Sequence, residues 1–286
     1  MTAERAALRV AFFGHGEGRR ADGLSTYSRE LVTALRSRGV EVRLFAHIGD
    51  GDRLPVDPAN AQRLRARSFK TVVVPHRGSI AAIRDSLRRF RPDVVHISWS
   101  FSLHDGAIAR AAHEVGAGCV ATFHLPHGPD GTVRGRVLQG LYRYHRLHMG
   151  HVDRCIALSQ TQRDLLVDAG FPADRITVIH NAVDTDAFSP GTSALHQELP
   201  ARLVVLYMGR LDPEKRVPAL VDTFLDLGLP DDHVLCIAGN GAQRGRLERQ
   251  AEGQRNVRLL GLVTGAHRME LLRGCDVFVL PSTTEG

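Results

Sequence analysis

The chain has almost no lysine. Of its 37 basic residues only Lys70 and Lys215 are lysines, so arginine carries nearly all the positive charge. Cysteine is scarce too: Cys119, Cys155, Cys236 and Cys275 lie far apart, mostly inside apolar runs, and no CxxC pair occurs. That argues against a structural zinc site and a disulfide framework, and predicts buried free thiols in a reducing, cytoplasmic compartment. No apolar run approaches the ~20 residues of a membrane-spanning helix. The opening MTAERAALRV enters a strand pattern directly and does not read as a secretion signal. Aromatic residues make up only 6% of the chain, without interleaving among the arginines. A net charge of +6 and a pI near 9.6 therefore do not point to nucleic acid. An anionic membrane surface and a phosphorylated small molecule remain as partners for that charge.

What the chain does have is alternation. Apolar runs such as LRVAFFG (8–14), VEVRLFAH (40–47), TVVVP (71–75), DVVHIS (93–98), GCVATFH (118–124), RCIALS (154–159) and RITVIHN (175–181) read as strands. Helical periodicity fills the intervals between them, apart from a polar loop expected over 50–66. Strands apolar on both faces and separated by helices predict an α/β protein with parallel sheets covered on both sides. The Pro-, Gly- and Ser-rich stretch 182–200 breaks the rhythm and is expected to be a linker. The pattern then restarts with RLVVLYMG (202–209), HVLCIAGN (233–240), NVRLLGLV (256–263) and DVFVLPS (276–282). The reading is two Rossmann-like, doubly wound domains, 1–190 and 191–286.

In open parallel sheets ligands bind beyond the carboxyl ends of the strands, and the polar motifs fall there. Gly23 lies in the Gly-rich segment after the first strand, where backbone N–H groups can approach an anion. Gly14-x-Gly16-x-Gly18 does not match the dinucleotide fingerprint, and no acid ends the second strand, so no nicotinamide cofactor is expected. Arg210 and Lys215, in GRLDPEKRVPALVDTF (209–224), stand between a strand and a helix start. They read either as a diphosphate site or as a turn salt-bridged through Asp212 and Glu214. His124 ends a strand, as a ligand-facing imidazole or a loop cap, and Glu285 follows the last strand. His145, His148, His151 and Cys155 recur at ligand-like spacing but straddle a helix-to-strand junction, so no metal is expected. The helix 79–90, with Arg84, Arg88 and Arg89 beside an apolar stripe, reads as a sheet-packing helix or a peripheral membrane contact.

Taken in order, these stretches resemble the retaining glycosyltransferases of family 4. GRLDPEKR is similar to their GR-L-x-x-EKG signature, HNAVDTDAFSP to N-G-V-D-x-x-x-F-x-P, and IAGNGAQRGRLERQA to I-x-G-x-G-x-x-x-x-L. VRLLGLV, DVFVLPSTTEG and DGLSTYSRELVTALRSRGVEVRLF resemble further family motifs. The resemblance implies a GT-B fold, with two domains facing a cleft, and sugar transfer from a nucleotide-sugar donor to an acceptor without an obligatory metal or cofactor. It implies that Arg210 and Lys215 hold the donor diphosphate, with Gly23 approaching it. Glu285 would contact sugar hydroxyls, His124 would sit by the reacting sugar, and the main chain near Val263 would read the base.

Three departures stand out. Asp22 replaces the first glycine of the usual pair, and Arg216 the glycine after Glu-Lys. The chain carries the first glutamate of the family's final pair, Glu285, and stops before the second, so the donor domain is expected to be incomplete. Two other readings fit parts of the pattern: a nucleotide-sugar 2-epimerase on the same architecture, and a non-catalytic chain that binds through its first domain.

Overall fold

The computed structural model describes residues 7–282 except 17–22, 48–53, 55, 65, 70–71, 76–77, 101 and 126–132. The chain divides into two units, Met1–Asn181 (with Gly286) and Ala182–Glu285. The first unit runs β1 (Arg9–His15), α1 (Gly23–Ser37), β2 (Glu41–His47), β3 (Ala61–Leu64), β4 (Ala66–Phe69), β5 (Val72–Pro75) and α2 (Ser79–Phe90). It continues with β6 (Val94–Trp99), α3 (Asp105–Glu114), β7 (Gly118–Phe123), α4 (Val133–His148), β8 (Arg154–Ala157), α5 (Gln160–Asp168) and β9 (Ile176–Val178). Seven strands form a parallel sheet in the order β3-β2-β1-β6-β7-β8-β9, and β4 and β5 pair as an antiparallel hairpin.

Period-two alternation along the strands explains the two cores. Val10 and Phe12 point to one face, where they pack with Val32, Val42 and Leu44. Ala11 and Phe13 point to the other, with Phe45, Ile83, Leu87, Trp99 and Ile108. Both faces are thus buried, as parallel strands require, and each large apolar side chain withdrawn from water contributes about 1.5–3 kcal/mol. The same demand settles α2: Ile83 and Leu87 are fully buried, while Arg84 pairs with Glu114 and Arg88 with Asp85. Its apolar stripe therefore belongs to the core. No helix among the described residues is long and apolar enough to cross a membrane.

The second unit holds α6 (Leu195–Glu198), β10 (Leu203–Met208), α7 (Val217–Asp226), β11 (His233–Ala238), α8 (Arg244–Ala251), β12 (Val257–Gly261), α9 (Gly265–Gly274) and β13 (Val277–Phe278). Its parallel sheet has the order β12-β11-β10-β13. Val205, Tyr207, Leu235 and Ile237 meet Val217, Val221, Phe224 and Leu247 on one face. Val204, Leu206, Val234 and Cys236 meet Leu195 and Leu271 on the other.

Two expectations need correction. The loop expected over 50–66 contains β3, which pairs with β2 from Leu44↔Ala61 to His47↔Leu64. Its sequence AQRL carries little apolar signal because it is an edge strand. The stretch 182–200 is no free tether, since it packs on α9. Ser193 Oγ donates to Glu270 O at 2.9 Å, Glu270 Oε2 accepts Ala194 N–H at 3.0 Å, and Arg273 Nε donates to Ser189 O at 3.0 Å. Residues 182–190, expected with the first domain, accordingly group with the second unit.

The loops that follow β10 and β11 are stitched backbone to backbone. Gly209 N–H donates to Ala238 O at 3.0 Å, Leu211 N–H to Asn240 O at 3.0 Å, and Gln243 N–H to Leu211 O at 2.8 Å. Gly239, at φ 147°, lies so close that a Cβ there would run into the Gly209 carbonyl oxygen, and one on Gly241 would come within 2.6 Å of the Leu211 backbone. Gly239→Ala should therefore cost the second unit about 3 kcal/mol or more, from overlap and a backbone angle that alanine avoids. Urea unfolding of the full chain checks this, and an unshifted transition would contradict the close approach.

The first unit buries several titratable groups. Burial lowers His96 and His145 to about 4, with the Ser100 carbonyl, 3.1 Å from His145 Nε2, opposing the shift in His145. Burial raises Asp105 to about 8, against the lowering effect of hydrogen bonds from Ser100 N–H and Ser102. Unfolded histidines take up protons below about 6.5, so their contribution to stability is lost as pH falls from there toward 4. The Asp105 contribution runs the other way: the folded carboxyl keeps its proton where the unfolded one has lost it, and stability is lost as pH rises from about 4 to 8. Asp105→Asn should thus gain on the parent protein between pH 5 and 8, by up to about 1.4 kcal/mol per pH unit. Urea midpoints at several pH values measure the difference, and parallel curves would mean that folded Asp105 is already ionised.

Candidate functional site

Both sheets reverse their strand order at a central strand. In the first unit β1 lies between β2 and β6, and in the second β10 lies between β11 and β13. Such reversals leave room at the carboxyl ends of the strands, and most of the sequence-predicted residues are found there.

In the first unit α1 is drawn tightly onto the end of β1. A Cβ on Gly14 would stand 2.6 Å from Phe12 Cε1 and from Ser28 Oγ, so this contact demands glycine. Ser28 Oγ accepts His15 N–H at 3.0 Å and donates to Leu24 O at 2.8 Å, pinning the first turn of α1 to the strand. Gly23 opens that helix. It is exposed, and among the described residues no heavy atom lies within 4 Å of where its Cβ would be. Packing does not require glycine there.

His124 follows the last residue of β7. Its N–H donates to Trp99 O at 2.9 Å, and its ring meets Tyr27 edge to face with centroids 4.6 Å apart. Burial, then the neighbouring His15 and His96, lower its pKa to about 3, so the imidazole is neutral over the physiological range. Its Nε2 is buried and has no hydrogen-bond partner among the described residues. Beside it, Thr122 Oγ1 lies 3.0 Å from Tyr27 Oη and 2.8 Å from His96 Nε2. Tyr27, His96 and Thr122 were not picked out from the sequence. A lone polar residue inside a strand or helix gives no sign of what it will touch.

In the second unit GRLDPEKR forms a short turn between β10 and α7. Tyr207 Oη, buried, donates to Arg210 O at 2.6 Å and fixes where the turn begins. Arg210 pairs with Asp212 and, at 3.1 Å, with Glu214. The salt-bridged alternative therefore describes Arg210 in this structure. Lys215 closes a 3-10 turn (Pro213–Lys215), its N–H donating to Asp212 O at 3.0 Å. Arg216 then takes a left-handed conformation at φ 53° and leads into α7. The turn collects three cations against two carboxylates at the positive end of a helix dipole. Val263 follows β12 and packs on the core face formed by Val204, Leu206 and Cys236. Glu285 lies outside the described residues.

The histidines at ligand-like spacing go separate ways. His145 stacks on Trp99 with centroids 4.7 Å apart, His148 packs on Tyr144 and His151 on His113, while Cys155 is buried in β8. Among the described residues no group of three or more His, Cys, Asp or Glu could hold a metal ion.

Comparison with known proteins follows the two units. Residues 21–187 match the model of Glycosyltransferase Family 4, and residues 202–286 match that of Glycosyl transferases group 1. The Phosphatidyl-myo-inositol mannosyltransferase of Mycobacterium leprae is 27% identical, aligned over 91% of this chain and 68% of its own. The GDP-mannose-dependent alpha-(1-6)-phosphatidylinositol dimannoside mannosyltransferase of Mycobacterium tuberculosis is 28% identical over 97% of this chain and 74% of its own. Among solved structures, Anabaena Alr3699/HepE in complex with UDP superposes with a TM-score of 0.71 at 17% identity, covering 96% of this chain and 74% of that one. Sucrose-phosphate synthase from Thermosynechococcus elongatus gives 0.69 at 18% identity, over 96% and 75%. With a family model spanning more than half of its length and GT-B proteins as its structural neighbours, the chain belongs to glycosyltransferase family 4 and is a glycosyltransferase of the GT-B fold.

Proposed function

We propose that the chain transfers a glycosyl residue from a nucleoside-diphosphate sugar to an acceptor hydroxyl with retention of anomeric configuration, the second unit holding the donor. The observation that carries this reading is the cationic turn at the reversal point of the second sheet, with Lys215 and Arg216 leading into α7 and Arg210 held by Asp212 and Glu214. Glycosyl transfer breaks the bond between the sugar carbon and the diphosphate, leaving an extra negative charge on the departing nucleotide. Cations fixed beside a helix N-terminus stabilise that developing charge without reorganising. The two carboxylates fix Arg210's orientation and dilute its charge.

The other roles follow the family resemblance. Gly23, with open space where a side chain would be, lets main chain approach the diphosphate. The main chain near Val263 contacts the base, and Glu285 a sugar hydroxyl. His124 sits by the reacting sugar. Being neutral, it serves there as a hydrogen-bonding group rather than a cation. The mannosyltransferase relatives aligned over more than nine-tenths of this chain, three of them named as GDP-mannose-dependent, make GDP-mannose the first donor to test.

Two substitutions test the assignment. A charge-assisted contact to phosphate is worth about 1.5–3 kcal/mol, so Lys215→Ala should weaken GDP or UDP binding at least about tenfold by calorimetry. An unchanged dissociation constant would move the donor site elsewhere. His124→Ala should lower the release of GDP from GDP-mannose while GDP affinity stays within about twofold. A parallel collapse of affinity would make His124 a structural or phosphate-binding residue instead.

A further inference from the structure

We propose that Tyr27 is the positioning residue for His124, and that Thr122 and His96 anchor Tyr27 in turn; the proposal rests on the role just given to His124. The His124 side chain has few tethers of its own. Its backbone is fixed by the bond to Trp99 O, yet among the described residues its Nε2 has no hydrogen-bond partner. Among the described residues the aromatic contact on its ring is Tyr27, edge to face at 4.6 Å and 68°. Such a pair prefers a narrow set of orientations and is worth about 0.5–1.5 kcal/mol beyond burial. That suffices to select one rotamer without consuming the imidazole nitrogens, which a hydrogen bond would occupy.

Tyr27 is itself fixed at both ends. Its backbone belongs to α1, the helix clamped to β1 through Gly14 and Ser28. Its hydroxyl shares a 3.0 Å hydrogen bond with Thr122 Oγ1, which lies 2.8 Å from His96 Nε2. The Phe12 ring packs on both Tyr27 and His96, with centroids at 6.3 and 5.0 Å. The single threonine proton allows two arrangements. Either Tyr27 donates to Thr122 and Thr122 to His96, or His96 donates to Thr122 and Thr122 to Tyr27. The first needs His96 Nε2 unprotonated, the second needs only an Nε2–H, and burial in the sheet keeps the ring neutral, so that the tautomer decides between them. The helix after the Gly-rich segment and the strand end bearing His124 are thereby locked to one another by a side chain that need not touch substrate.

The test compares Tyr27→Leu, Tyr27→Phe and Thr122→Val in the full chain, with GDP-mannose as the turnover probe and GDP as the affinity probe. Misplacing a reactive group by a fraction of an ångström costs roughly tenfold in rate. Tyr27→Leu should lower kcat about that much, with the GDP dissociation constant within about twofold. Tyr27→Phe, which keeps the ring, should recover most of the loss, and Thr122→Val should fall between. In a His124→Ala background Tyr27→Leu should have no further effect, because the group it positions is gone. Independently of activity, the imidazole Cε1–Hε1 resonance of His124, assigned by its loss in His124→Ala, should broaden or split in Tyr27→Leu while histidines remote from Tyr27, such as His151 and His233, hold their signals. Additive losses, equal damage from Phe and Leu, or a sharp single His124 resonance in Tyr27→Leu would overturn the proposal. Full turnover in His124→Ala would instead overturn the role of His124, and the resonance would still decide whether Tyr27 positions it. Should Tyr27→Leu not fold, Thr122→Val carries the test, and an unaltered kcat with an unaltered His124 resonance there overturns the anchoring.

Discussion

A parallel strand must be covered on both faces, and this requirement shapes both units. It places helices between most successive strands of the two parallel sheets and lets the chain wind outward in two directions from β1 and from β10. Where the winding reverses, neighbouring connections leave in opposite directions and the strand ends stay open. His15 ends β1, the turn from Arg210 to Lys215 follows β10, and His124 follows β7, so all three stand at carboxyl ends of strands. The close backbone contact of Gly209 with Gly239 and of Leu211 with Gly241 extends this order from the strands into the loops. The cationic turn therefore sits on a rigid base.

Much of this was legible in the sequence, because the alternation of apolar strands and amphipathic helices is strong wherever an element is buried on one or both faces. The central strands and their helices are found within a few residues of where periodicity puts them. What escaped was what burial does not write. β3, with AQRL, is polar because it is an edge strand, and residues 182–200 look like a linker although Leu195 and Ser193 lock them to α9. The site was legible in part. Lys215 stands out through rarity and His124 through its place at a strand end. The pairing of Arg210 with Asp212 and Glu214 was one of two open readings, since spacing shows that charges can meet, not that they do. The chain of contacts from His96 through Thr122 to Tyr27 joins residues that are 26 and 95 positions apart, and no local pattern can announce it.

The interior of the first unit holds several groups that could ionise and do not. His96, His124 and His145 are held neutral by burial, while Asp105, at the start of α3, is held protonated. An acid at a helix N-terminus ordinarily gains from the dipole. Here the loss of water outweighs it. The two classes of group oppose each other in their pH dependence, which leaves the neutral range as the compromise between them.

The near absence of lysine also has a chemical consequence. Lys70 and Lys215 are the only side-chain amines in the chain, and Lys215 stands on the short turn between β10 and α7. Reagents that acylate amines will therefore mark this protein at very few places, one of them the turn beside the strand-order reversal of the second sheet. In a protein whose positive charge is almost entirely guanidinium, any change in the labelling of that amine on adding a nucleotide would be read against little background.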